Sequence, residues 1–275
     1  MPARSARAAR FLISTGVLTA VSIGLAACNT TGNDITGSLG ARASAELPAT
    51  PRTSEEWRQA LDVWGQRYHS NPGDIQAAIA YARALRANGQ RAQAVAVLEQ
   101  ATFRNPKSMP LMGAYGRALA EAGQYAQALD ALGKAHTPDN PDWRILNAEG
   151  AVLDQLGRSA EARKHYEAAL KIAPGDPSVL SNLGLSYALT KELKLAEATL
   201  RQATARPDAG PRVRQNLALV IGLEGRFDEA QRLASADLPP SEAVANVQYL
   251  REMLARNGQG NQGKTQPRHL ASTRS

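Results

Sequence analysis

The chain has 275 residues, 43% hydrophobic and only 5% aromatic, with a formal net charge of +7. The apolar excess is alanine and leucine, which points to close-packed helices in one large domain or two small ones. Arg4, Arg7 and Arg10 precede residue 28, and five basic residues and one acidic residue lie from Arg251 onward. This leaves 28–250 with 24 basic and 24 acidic residues, without the concentrated basic face that nucleic-acid binding requires.

Cys28 is the single cysteine, so no disulfide forms within the chain. His69, His136, His165 and His269 are far apart with no H-x-x-x-H pair, and no metal or cofactor is expected.

The chain opens with the basic MPARSARAAR, followed by the uncharged FLISTGVLTAVSIGLAA and then Cys28. A basic stretch, a short apolar run and small residues describe an export signal over 1–27. The 17 apolar-run residues are marginal for a membrane span. Leu25-Ala26-Ala27-Cys28 resembles a bacterial lipobox. That resemblance implies cleavage before Cys28 and acylation of its thiol and new amino end. Two or more chains at ~0.8 kcal/mol per buried CH₂ give lasting attachment. Asn29, in place of aspartate, favours the outer membrane by resemblance to lipoprotein sorting. Residues 29–53 are rich in Gly, Ser, Thr, Asn and Pro, so 28–53 reads as a lipidated cysteine and a flexible tether reaching roughly 25–30 Å.

Thr53-x-x-Glu56 is a capping-box pattern that opens a helix closed by Asn71-Pro72, an N-terminal cap over 54–72. Steps of 34 residues then align Ala94, Ala128, Ala162, Ala196 and Ala230. Twelve positions ahead stand Ala82, Gly116, Gly150, Gly184 and Ala218. Turn positions hold Gly89, Gly123, Gly157, Lys191 and Gly225. Each unit therefore reads as two amphipathic helices of about 13 residues. Small residues let the two backbones approach, and a glycine in left-handed conformation ends the first helix. Pro110, Pro177 and Pro211 suit a first helical turn, where the missing N–H has no partner anyway. Lys191 breaks the glycine column, so either that turn differs or the residue bears ~1–2 kcal/mol of left-handed strain.

This 34-residue pattern over about 75–238 resembles the tetratricopeptide repeat. The fold implied is all-α: a right-handed superhelical solenoid of about five repeats over 73–240, with an N-terminal half-repeat and a C-terminal capping helix. Ser241 reads as the N-cap of that last helix, with Val244, Val247, Leu250 and Leu254 as its apolar stripe over 241–256. Asn257-Gly258 reads as its stop, and 257–275 as a disordered basic tail.

Within that tail, GQGNQGKT at 258–265 matches G-x-x-x-x-G-K-[ST], the phosphate-cradling loop in which Lys264 and Thr265 would meet nucleotide and magnesium. Such a loop works between a β-strand and a helix, because helix and loop amides hold the phosphates. A helix is expected before this motif and Pro267 follows it, so neither nucleotide binding nor enzymatic activity is expected.

By resemblance to the repeat family, the first helices line a groove for an extended peptide or partner helix. Groove positions carried over are Ile79, Arg83, Arg86, Arg117, Asn147, Ala151, Asn182, Leu185, Leu189, Gln215, Asn216, Leu219 and Leu223. They run from basic and polar to apolar. Arg83 and Arg117 are placed to receive a carboxylate, and Asn182 and Asn216 to bond a peptide backbone.

The stretch RVRQNLALVIGLEGRFDEAQRLASADLPPSEAVANVQYLREML, residues 212–254, is similar to TadD-type lipoproteins of the tight adherence (Flp) pilus system. The resemblance implies a non-catalytic, lipid-anchored assembly factor at the outer membrane, facing the periplasm. Its partners would be pilus-assembly proteins, the secretin channel among them. Two other roles fit a tetratricopeptide lipoprotein: an adaptor for peptidoglycan enzymes, or a subunit of the outer-membrane protein insertion machinery.

Overall fold

The computed structural model describes Pro51 and residues 53–262, with side chains through Arg256. Helix α1, Ser54–Ser70, is followed by five helix pairs. These are α2 Ile75–Ala87 with α3 Arg91–Arg104, α4 Met109–Glu121 with α5 Tyr125–Gly133, and α6 Trp143–Gln155 with α7 Ser159–Ile172. Then come α8 Pro177–Leu189 with α9 Leu193–Thr204, α10 Pro211–Leu223 with α11 Phe227–Ala234, and a last helix, α12 Pro240–Gln262. Among the described residues the only β pairing is an isolated bridge between Thr137 and Asn140. No helix there is long and apolar enough to cross a membrane.

The capping box of α1 is present: Glu56 N–H donates to Thr53 Oγ1, and Thr53 N–H to the Glu56 carboxylate. Four of the paired first helices open on a side chain that accepts from their first-turn amides: Asp74, Ser108, Asp142 and Asp176. These caps recur every 34 residues and fix where each unit starts. At each of the five turns, the amide two residues beyond the end of the first helix's cap donates back to a carbonyl five residues earlier, as in Gln90 to Leu85 and Glu192 to Tyr187, both 2.9 Å. Closing that bond needs the residue between to take positive φ. Gly89, Gly123, Gly157 and Gly225 do so, and Lys191 does so as well at φ 64°. Of the two readings open for Lys191, strain is the one that holds.

The alanine column from Ala94 to Ala230 is buried throughout, and Ala82 and Ala218 with it. Three glycines of the other column carry close approaches. An added Cβ would sit 2.6 Å from Leu132 at Gly116, 2.5 Å from Tyr166 at Gly150 and 2.7 Å from Leu200 at Gly184. In these three pairs the second helix drives one large side chain into the space that the glycine on the first helix leaves open. Each first helix also packs against the first helix of the next unit, from α2 through α10 to α12, so the first helices share one continuous face.

Three features depart from the sequence reading. Helix α5 has nine residues where α3 and α7 have fourteen. Thr137-Pro138 falls where the last turn would run, and proline there both lacks a donor and pushes its predecessor out of the helical region. Helix α12 starts at Pro240 instead of after Ser241, with the Pro239 carbonyl accepting from Glu242 and Ala243. Its buried stripe is Ala243, Val247 and Leu250, while Val244 is exposed. It also continues past Asn257-Gly258 to Gln262 instead of stopping at 256. A single glycine costs a helix only about 1 kcal/mol, and no proline comes before Pro267. Residues 258–262 of the nucleotide-motif match are thus helical, which engages loop positions that a phosphate site would need free. Lys264, Thr265, Cys28 and the tether apart from Pro51 and Thr53 lie outside the described residues.

Candidate partner-binding groove

The face shared by the first helices carries two hollows of opposite chemistry. The larger, about 1090 Å³, lies between α2, α4, the start of α6 and the α5–α6 connection. Ile79, Arg83 and Arg86 from α2 and Arg117 from α4 line it, as the repeat register places them. His136, Trp143 and Arg144 line it too, and the sequence reading did not include them. Trp143 and Arg144 open α6, and His136 belongs to the irregular wall that the shortened α5 leaves over residues 134–142. The signal for this was Pro138, inside a stretch that the 34-residue pattern makes helical.

The arginines differ in their partners. Arg86 is bound by Glu121, its Nε donating at 2.7 Å. Arg83 stacks over Trp57 at 5.5 Å and Arg144 over Trp143 at 4.4 Å. Among the described residues, Arg83, Arg117 and Arg144 make no ion pair with a carboxylate. Burial, and after it the positive charge of Arg86, lowers the Arg117 pKa, with Asp142 and Glu121 opposing. The guanidinium remains charged at neutral pH, so an incoming anion relieves both unfavourable effects.

Behind His136, a buried carboxylate joins three elements. Glu149 of α6 is 4% exposed and lies 3.0 Å from His165 Nδ1 on α7 and 3.3 Å from His136 Nε2. No group of three or more His, Cys, Asp or Glu among the described residues is arranged to hold a metal ion.

The second hollow, about 280 Å³, lies between α6, α8 and α10 and is lined by Ala151, Asn182, Leu185, Leu189, Leu219 and Leu223 among others. Leu189 is 61% and Leu219 43% exposed, so apolar surface faces solvent here. Asp154 forms its floor, accepting from Tyr166 at 3.0 Å and Ser186 at 2.9 Å. The asparagines expected to meet a ligand backbone are partly engaged between units. Asn182 donates to Asn147 at 3.0 Å and Asn216 to Ser181 at 2.9 Å. Asn147 and Asn216 line neither hollow.

A family model for anaphase-promoting complex, cyclosome, subunit 3 matches residues 57–135, and two tetratricopeptide repeat models match 147–211 and 211–236. No curated protein matches the sequence. Among solved structures, PilW, a widely conserved type IV pilus biogenesis factor, is 19% identical with a TM-score of 0.61, over 70% of this chain and 91% of that one. The APC/C hetero-tetramer Cut9–Hcn1 is 17% identical with a TM-score of 0.58, over 73% and 41% respectively. PilF of Pseudomonas aeruginosa is 17% identical with a TM-score of 0.51, over 66% and 81%. At these identities the likeness is one of fold. The matching families are repeat scaffolds that bind other proteins. Five helix pairs in 34-residue units, with one further helix at either end and small-residue columns within the pairs, make the described residues an all-α tetratricopeptide-repeat solenoid.

Proposed function

We propose that this chain is a non-enzymatic, lipid-anchored scaffold for assembly of a tight adherence (Flp) pilus, holding a partner protein in the groove of its first helices. The observation that carries the scaffold reading is the paired hollow on that face, with three guanidiniums that make no ion pair among the described residues in one half and exposed leucines in the other. A folded protein leaves neither arrangement open without some cost in stability or solubility. The pilus assignment draws on the likeness of residues 212–254 to TadD-type proteins. One solved structure of the same fold, PilW, is a type IV pilus biogenesis factor.

In this reading the signal directs export, Cys28 carries the lipid at the outer membrane, and the tether lets the repeats stand off the bilayer. The partner is the secretin channel, which the scaffold helps to reach or assemble in that membrane. A deletion strain tests the assignment: surface pili and the secretin multimer are expected to be lost together and restored by the intact gene. Normal pili with a normal multimer would refute it. Arg117→Glu with Asn182→Ala is expected to abolish secretin capture by the purified chain. Cys28→Ser protein is expected to leave the membrane fraction and take up no fatty-acid probe.

A further inference from the structure

The groove also has a polarity. One column of the first helices, at 34-residue spacing, reads Arg83, Arg117, Ala151, Leu185, Leu219. It passes from guanidinium to isobutyl along the array. On the outer helices and turns the chain supplies its own acids to several of its arginines. Arg158 is held by Glu161 at 2.7 Å, Arg163 by Glu192 at 2.7 Å, and Arg201 by Glu197 at 2.7 Å. Inside the groove, Arg83, Arg117 and Arg144 receive none among the described residues, though they share one hollow. The exposed leucines that line a hollow, Leu189 and Leu219, lie at the opposite end.

We infer that the occupant is an extended segment of a partner protein, bearing carboxylates at one end and aliphatic side chains at the other. Its acidic end lies against Arg83, Arg117 and Arg144, and its aliphatic end over Leu185, Leu189, Leu219 and Leu223. Planar guanidiniums bind carboxylates in pairs of parallel hydrogen bonds, so the acidic end fixes position. The aliphatic end adds burial of the exposed leucines, at about 25 cal/mol per Å². Arg117 and Leu185 are two units apart, and first helices that pack side by side lie ~8–10 Å apart. The two ends of the ligand are therefore separated by roughly 20 Å, or about six residues at ~3.3 Å each. This inference rests on the first-helix face being the protein-binding groove.

The test uses the full chain in detergent and three fluorescein-labelled peptides. One carries Asp-Glu-Asp and, about six residues away, Leu-Val-Leu. The second has Asn-Gln-Asn in place of the acids, and the third has serines in place of the aliphatics. The first is expected to bind about tenfold or more tighter than either of the others, with its advantage over the second shrinking as salt rises. Arg117→Glu with Arg144→Glu is expected to remove that advantage and to favour a Lys-Arg-Lys version. Leu185→Ser with Leu219→Ser is expected to remove the advantage over the third. Circular dichroism of each variant checks that it is folded. Equal binding of all three peptides, or binding of none, would overturn the inference. If the secretin is still captured in that case, the scaffold reading stands without this polarity. If the peptides rank as expected but the secretin is not captured, the groove chemistry stands and the pilus partner does not.

Discussion

The ring of Tyr166 occupies the space where a β-carbon on Gly150 would have to lie, with 2.5 Å between them. Gly150→Ala is therefore expected to force α6 and α7 apart. Overpacking costs roughly 1–3 kcal/mol, and the better helix propensity of alanine offsets about 0.5–1 of that. Urea denaturation is the measurement. Adding Tyr166→Leu should recover part of the loss by opening the contact, although it gives up the hydrogen bond to Asp154. If Gly150→Ala proved stabilising, close approach would not be what the small-residue column provides.

Lys191 is the sole non-glycine at positive φ among the described residues. Lys191→Gly is expected to raise stability by about 0.5–1 kcal/mol, since glycine adopts this conformation without steric cost. Lys191→Val is expected to lower it, because a β-branched residue fits that region worst. Thermal unfolding of the two variants should shift in opposite directions, with helix content unchanged.

Glu149 ties the α5–α6 connection to α7 through His136 and His165. Glu149→Leu strands both imidazoles and is expected to cost about 1–3 kcal/mol. Glu149→Gln keeps oxygen and nitrogen in place and should cost less. Hydrogen exchange around residues 134–142 should accelerate in the leucine variant, because the wall of the larger hollow then loses its anchor.

Acid should loosen the fourth and fifth units. Burial opposes the charge on Glu197, but hydrogen bonds from Arg226 and Arg201, and their positive charge, outweigh it and hold the carboxyl down to about 2. Glu229 is also lowered, through Arg201 and then Arg226. An unfolded glutamate titrates near ~4.3, so this contribution is fully present above that pH. It is lost as pH falls from there toward about 2. Glu197→Gln should therefore lower the urea midpoint at pH 7 and flatten its decline between pH 4.5 and pH 2.5. A parallel decline in both proteins would refute the assignment.

Period and pairing were legible in the chain because they depend on residues whose role is local. A glycine or alanine at a crossing, a glycine at a turn and a proline in a first turn each act through sterics, whatever surrounds them. Gly116, Gly184 and Pro177 do in the structure what their spacing requires. The groove was legible only in part. Arg83, Arg86 and Arg117 follow from register, and Trp143 and Arg144 stand 34 residues after Met109 and Pro110 in the same hollow, whereas His136 lies in the irregular connection that follows the early end of α5. The bonds of the asparagines were not legible, because a side-chain amide bonds with whatever lies nearest, and Asn182 donates to Asn147. The end of α12 shows the weakness of a lone glycine as a stop signal.

The early end of α5 leaves the count undisturbed. Ala128 and Ala162 remain 34 residues apart, so the turn lost from the helix reappears as connection. Apart from buried Ala135 and the cap Asp142, the letters at 134–144 that shape the larger hollow are therefore separate from those that set spacing. Substitutions at His136 or Arg144 can retune that hollow without moving any neighbouring repeat out of step.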